Sequence, residues 1–267
     1  MEKVVLITGG SSGIGKSVGE FLHAKGFIVY GTSRNPERIS TSVFPLIALD
    51  VRNVASIQKA VSEIISKSGR IDVVINNAGV GITGPIEEIP AEEIKNNFDT
   101  NLFGPIEVIK SVLPQMRKQK SGLIINITSI AGYMGLPYRG IYSASKGALE
   151  LITEALRMEV KSFGIHITNV APGDFATNIA AGRYHAPLIK GSAYEIPYGN
   201  TLSTMNEHVD SGSNPNEMAE AIFKIIQNKN PKIHYKVGAF MQKFSIVLKR
   251  ILPDTVYEKM LMNHYKL

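Results

Sequence analysis

The sequence predicts a doubly wound α/β fold, a single domain in which a parallel sheet carries helices on both faces. Three observations support this. Short runs rich in β-branched residues alternate with helix-period segments from residue 4 to about residue 170, the rhythm of repeated βαβ units. The runs are largely apolar, as strands covered on both faces should be. The first run passes directly into Thr8-Gly9-Gly10-Ser11-Ser12-Gly13-Ile14-Gly15 and then into a helical pattern. That turn brings backbone N–H groups at a helix start toward a phosphate.

The elements follow in order. Residues 4–7 read as the first strand, and a helix over 15–25 follows the glycine turn. Strands at 27–30, 46–49, 73–75, 123–127 and 165–170 alternate with helices at 53–67, 91–118 and 143–163. Unbroken alternation leaves no place for a domain boundary, so residues 1–267 form one domain. The rhythm stops over 178–216, after the last strand of the series, on the side where open α/β sheets bind ligands. This stretch is expected to cover a substrate and to hold some helix of its own. Phe175, Ile179, Tyr184, Leu188, Ile189, Tyr194, Ile196 and Tyr198 would make such a pocket apolar. Over 238–267, Phe240, Phe244, Val247, Leu248 and Ile251 recur at helical spacing. Pro253 ends that helix, and Asp254 caps a shorter one with Val256, Tyr257, Met260 and Leu261. The stripe is expected to pack on its own domain or a partner subunit, with peripheral membrane contact as the alternative.

The 267 residues are 44% hydrophobic and 19% charged, with no Cys. Disulfides, thiolate nucleophiles and cysteine-ligated metals are excluded. The six histidines show no metal-binding spacing, so no metal is expected. The net charge of +6 is unevenly spread. Residues 224–267 hold nine basic and two acidic side chains, while the first 223 are nearly balanced. Charge in one tail, without a recognisable motif, does not indicate nucleic acid. Apolar runs shorter than about 20 residues predict a cytoplasmic protein, with peripheral membrane association as the alternative. His166 reads as a packed strand residue, Ser12 and Ser143 as helix-start caps, and Glu87, Glu88, Glu92 and Glu93 as solvated charges.

The second strand ends in Tyr30-Gly31-Thr32-Ser33-Arg34, without a carboxylate. An acidic residue there would bind the ribose hydroxyls of NAD, and a basic one accommodates the 2′-phosphate of NADP. Ser33 and Arg34 therefore favour NADP(H), with NAD(H) the alternative. In Ile141-Tyr142-Ser143-Ala144-Ser145-Lys146 the Tyr and Lys share one helix face. An ammonium near a phenol favours the phenolate and makes the hydroxyl useful for proton transfer at neutral pH.

With the glycine turn, these residues resemble the short-chain dehydrogenase/reductase family and its Rossmann fold, from residue 4 to about residue 177. The chain is most similar to the steroid- and retinoid-type branch. The remaining motifs occur in the family's order: Asp50 with Val51, Asn76-Asn77-Ala78-Gly79, Asn101, Thr128-Ser129, and Pro172-Gly173 with Thr177. The resemblance implies that Gly9, Ser11, Ser12, Gly13, Ile14 and Gly15 form the pyrophosphate turn. Asp50 and Val51 would meet the adenine, Asn77, Ala78 and Gly79 the cofactor side, and Pro172, Gly173 and Thr177 the carboxamide. Tyr142 would be the general acid/base, Ser129 would hydrogen-bond the reacting oxygen, and Lys146 would hold the nicotinamide ribose. Asn101 would hold a relay water.

The expected function is NADP(H)-dependent hydride transfer between nicotinamide C4 and a lipophilic ketone, aldehyde or secondary alcohol. A 3-ketosphinganine-type long-chain ketone reductase and a reductase of small keto compounds are the alternatives within the class. A non-catalytic NADP(H)-binding sensor or scaffold lies outside it. The resemblance also implies a homodimer or homotetramer assembled on the helices that begin near Ala91 and Ser143.

Overall fold

The computed structural model describes residues 2–175, 182–210 and 212–267, with the side chains of 206–210 left aside. The elements run β1 (Val4–Ile7), α1 (Gly13–Ala24), β2 (Ile28–Ser33), β3 (Leu46–Ala48), α2 (Val54–Ser68), β4 (Val73–Asn76), β5 (Ile82–Thr83), α3 (Ala91–Phe98), α4 (Gly104–Gln119), β6 (Gly122–Ile127), α5 (Gly140–Glu159), β7 (Ile165–Pro172), β8 (Tyr184–His185), α6 (Glu195–Asp210), α7 (Pro215–Gln227), β9 (His234–Val237), α8 (Phe240–Ile251) and α9 (Asp254–Tyr265). Among the described residues, seven strands form one sheet in the order β3-β2-β1-β4-β6-β7-β9. Every pairing is parallel.

Alternation along each strand builds two core layers. Val4 and Leu6 join Ile57, Val61, Val108 and Val112 under α2 and α4. Val5 and Ile7 face the other way, onto Val18 and Leu22 of α1 and Met218 and Ile222 of α7. With both faces covered, the central strands are buried along their length, which is why their sequences carry no polar alternation. Strand order reverses beside β1, so the β1 and β4 ends open onto a crevice.

The expected strands and helices are present, with four corrections. The helix expected over 91–118 is interrupted at Asp99–Phe103 by a widened π-type turn, in which the Gly104 N–H bonds Asp99 O, five residues back. Pro105 has no N–H to give the Asn101 carbonyl, so regular α-bonding cannot pass through this point. Strand β9 is the second difference. Its four residues are half-buried at the sheet edge, so it lacks a continuous apolar run. Helix α7 is the third, capped by the Asn214 side chain on the Asn216 N–H. The covering stretch contributes β8, paired with β5, and α6.

The fourth correction concerns the C-terminal stripe. Helix α8 turns Ile246 inward, with Leu248 partly buried, onto Ile130, Met134 and Tyr257. Phe240 and Ile251 are 71% and 72% exposed, and Phe244 and Val247 also face outward. Of the expected stripe, Leu248 packs on its own domain beside Tyr257 and Leu261 of α9, whereas Phe240, Phe244, Val247 and Ile251 do not. The inward anchor is polar: Gln242 Nε2 donates to Asp174 Oδ2 at 2.7 Å, and its Oε1 accepts the Asp174 N–H at 3.2 Å.

Ile124 is fully buried in β6 and registers with Val74 and Ile167 on either side. Ile124→Ala is expected to lower the unfolding free energy by about 2–5 kcal/mol with an unchanged urea m-value. Equilibrium urea denaturation checks this.

Candidate active site

The glycine turn is held from both sides. Thr8 Oγ1 accepts the N–H groups of Asn77 and Ala78, each at 3.0 Å. Asn77 Nδ2 donates to the carbonyls of Thr8 and Gly9 at 3.0 and 3.1 Å. From β2, Thr32 Oγ1 accepts the Gly9 N–H at 3.2 Å. Gly9 and Gly13 adopt φ values of 64° and 52°, where a side chain is strained. A Cβ on Gly15 would come within 2.4 Å of Gly9 O and Asn77 Nδ2. Helix α1 therefore begins tight against the loop, with no acidic residue in its first turn and no side-chain cap from Ser12. Ser12 occupies the N-cap position without capping through its hydroxyl, and the Ser143 hydroxyl is buried without a partner among the described residues. Neither serine caps as the sequence suggested.

A cleft of about 530 Å³ opens over this turn, lined by Gly9, Ser11, Ser12, Gly13, Ile14, Ser33, Arg34, Asp50, Val51, Asn77, Ala78 and Gly79. Gly15 lies beneath it as the packing glycine. Arg34 is exposed at the rim, while Asp50 Oδ1 accepts the Arg52 N–H at 3.0 Å. A glycine turn opening on a cleft at an uncapped helix N-terminus suits a dinucleotide pyrophosphate.

Ser129, Tyr142, Pro172 and Gly173 line a smaller cavity of about 60 Å³ at the inner end of the cleft. Thr177 and Ile179 lie outside the described residues. Ser129 sits just past β6, and its Oγ accepts the Ala131 N–H at 3.2 Å. Tyr142 and Lys146 lie on α5, which starts earlier than expected, at Gly140. Lys146 is only 4% exposed, and its Nζ donates to Ile127 O at 3.0 Å. Gly79 packs beside it, for a Cβ there would stand 3.3 Å from Lys146 Nζ and 3.2 Å from Asn101 Oδ1. Asn101, in the widened turn, pairs with both backbone groups of Val80 at 2.9 Å. Burial pushes the Lys146 ammonium down to about 8, partly opposed by the charge of Glu150.

Several residues that hold or flank this site carry no sequence signal for the role. Glu150, one turn beyond Lys146, is buried. It accepts from Thr128, from Tyr133 OH at 2.9 Å and from Asn169 Nδ2 at 3.0 Å, and its Oε2 stands 2.8 Å from His234 Nδ1. Burial and this carboxylate push the Tyr133 phenol upward. Arg139, the cap residue of α5, places its guanidinium 5.4 Å from the Tyr142 ring centre. Tyr194 OH donates to Glu87 at 2.8 Å and Ser192 to Glu88, so these two carboxylates tether the covering segment and are not simply solvated. Tyr184, Tyr194 and Tyr198 pack with Tyr142. Phe175 joins the core and also lines the small cavity. Leu188, Ile189 and Ile196 are exposed and line neither cavity, contrary to the sequence expectation. His166, half-buried in β7, has its pKa lowered by burial and by Arg157.

A lysine whose folded pKa lies below its unfolded value of 10.5 costs stability while charged, and the cost fades as pH rises from about 8 toward 10.5. Relative to Lys146→Met, the wild-type protein is therefore expected to gain up to about 3 kcal/mol of stability across that window. Paired denaturation curves from pH 7 to 10.5 check the sign and size.

Comparison with known proteins agrees with this geometry. The short chain dehydrogenase family profile matches residues 3–187. A Bacteroides thetaiotaomicron protein named 3-ketodihydrosphingosine reductase is 42% identical over 264 residues, covering 98% of each chain. An uncharacterised oxidoreductase of Bacillus subtilis is 33% identical over 97% of each. The solved structure of a short-chain dehydrogenase from Streptomyces avermitilis superimposes with a TM-score of 0.85, at 30% identity over 100% of this chain and 97% of that one. Sequence, sheet order and site geometry agree, and the chain belongs to the short-chain dehydrogenase/reductase family of oxidoreductases.

Proposed function

We propose that the protein is an NADP(H)-dependent reductase of lipophilic ketones, with a long-chain 3-keto sphingoid base as the leading substrate. The observation that carries the reaction is the placement of the Ser129 and Tyr142 side chains on one small cavity, with Lys146 buried behind them on the same helix face as Tyr142. The end-to-end likeness to the Bacteroides reductase supports the substrate.

When bound, the dinucleotide supplies or accepts a hydride at its nicotinamide ring. The glycine turn and the α1 N-terminus bind its pyrophosphate, Asp50 and Val51 flank the adenine, and Asn77, Ala78 and Gly79 form the wall behind it. Ser129 hydrogen-bonds the substrate carbonyl oxygen and stabilises the charge that grows there. Tyr142 gives its phenolic proton to that oxygen in reduction and takes it back in oxidation. Lys146, one helical turn from Tyr142, would hold the nicotinamide ribose, and Asn101 fixes the Val80 backbone. Arg34 at the rim selects the 2′-phosphate. Pro172 and Gly173 close the carboxamide end.

Among the described residues no helix is long and apolar enough to cross a membrane. We place the enzyme in the cytoplasm, with the basic C-terminal helices available for peripheral lipid contact. The outward Phe103, Leu151, Met158 and Phe163 offer a surface for a homodimer or homotetramer.

Tyr142→Phe is expected to lower kcat about 10²–10⁴-fold while NADPH binding, followed by nucleotide fluorescence, is kept. Turnover close to wild type would remove Tyr142 from the reaction. Arg34→Ala is expected to raise KM for NADPH about tenfold or more with little change for NADH, as initial rates with both cofactors will show. Because the Lys146 ammonium loses its proton near pH 8, kcat/KM for ketone reduction is expected to fall above that pH.

A further inference from the structure

Arg183 has no part in the proton chemistry above, yet its side chain enters the catalytic end of the cleft. Its stem packs over Gly81, where a Cβ would come within 2.9 Å of Arg183 Cγ. Arg183 lines the small cavity with Ser129 and Tyr142, and its flanking residues Gly182 and Tyr184 line the large one. Nη1 is enclosed by protein and, among the described residues, meets no hydrogen-bond acceptor.

The surroundings are poor in compensating charge. Arg139 lies on the same cavity, and a guanidinium does not neutralise itself by losing a proton in a protein. Asp174 is the nearby carboxylate, but its Oδ2 already accepts from Gln242 at 2.7 Å. Burial first, and then Arg139, push the Arg183 pKa below the usual arginine value. A guanidinium nitrogen buried without an acceptor is costly unless one arrives to meet it. The planar fork of a guanidinium suits the paired oxygens of a phosphate or carboxylate.

We propose that Arg183, with Arg139 beside it, is an oxyanion-binding group at the catalytic end of the cleft, taking phosphate or carboxylate oxygens brought by the dinucleotide or by the substrate. The first source rests on the dinucleotide reading above, and the second would put an anionic ketone in place of the sphingoid base, which carries an ammonium and no oxyanion. Arg183 is then a specificity residue that joins the glycine turn to the chemistry at Tyr142.

The test compares wild type, Arg183→Gln and Arg183→Lys by calorimetric titration with NADPH and with inorganic pyrophosphate. Initial rates with a long-chain oxo acid and with its uncharged methyl ester complete the set. If the dinucleotide is the source, Arg183→Gln weakens NADPH and pyrophosphate at least tenfold, and Arg183→Lys restores most of the loss. If the substrate is the source, Arg183→Gln leaves NADPH unchanged and raises KM for the oxo acid at least tenfold but not for the ester. In either case, removing an unpaired enclosed charge leaves the Tm of Arg183→Gln equal to or above that of wild type. A variant that matches wild type with all four ligands overturns the proposal, as does one whose only change is a lower Tm. Failure of wild type to bind either NADPH or NADH would instead overturn the dinucleotide reading, and the pyrophosphate and oxo-acid measurements would still decide Arg183.

Discussion

The burial of the Lys146 ammonium is the constraint around which the catalytic end of the cleft is arranged. A charged amine that is only 4% exposed needs nearby acceptors and negative charge, because burial disfavours the charged form. The Ile127 carbonyl at the end of β6 supplies one acceptor, and Glu150, one helical turn away, supplies the opposing charge. At position 79 a Cβ would sit 3.3 Å from Nζ, so glycine lets the β4 loop approach closely. The widened turn in front of α4 then brings Asn101 to the same place, where it fixes Val80 through two hydrogen bonds. Three other elements thus converge on one side chain of α5, and Tyr142 is held on the same helix face.

Glu150 extends this arrangement away from the cleft. Through Thr128 it is tied to the strand end that carries Ser129, through Asn169 to β7, and through His234 to the edge strand β9. The edge strand β9 is therefore joined through Glu150 to Thr128, the neighbour of Ser129. At the other end of the cleft, the glycine turn depends on Thr8 and Thr32, whose hydroxyls accept backbone N–H groups from the β4 loop and the turn itself. In both places a buried polar group with all its partners fixes backbone that would otherwise be free to move.

Much of the framework was legible in the sequence because it rests on features that need little context. Continuous β-branched runs require a sheet covered on both faces, and a glycine turn between strand and helix has few structural readings. A Tyr and a Lys four residues apart share a helix face wherever the helix forms. What escaped the sequence depended on tertiary contact. Helical periodicity looks the same on both sides of Asn101, and only Pro105 hints at the interruption. An amphipathic pattern does not say which face packs, and in α8 the anchors are Gln242 and Ile246 while Phe240 and Ile251 face outward. A glutamate reads as solvated until its partners come together from four elements, as they do around Glu150. Arg183 follows an irregular stretch with no period, so nothing in the sequence placed it near Tyr142.

The most direct test of this arrangement is the titration of Lys146 itself. In protein labelled with ¹³C at lysine Cε, one resonance is expected to titrate near pH 8 and to be missing from Lys146→Met. If all lysine resonances titrate near 10.5 instead, the ammonium is not buried against the β6 carbonyl, and the account of the site around it fails.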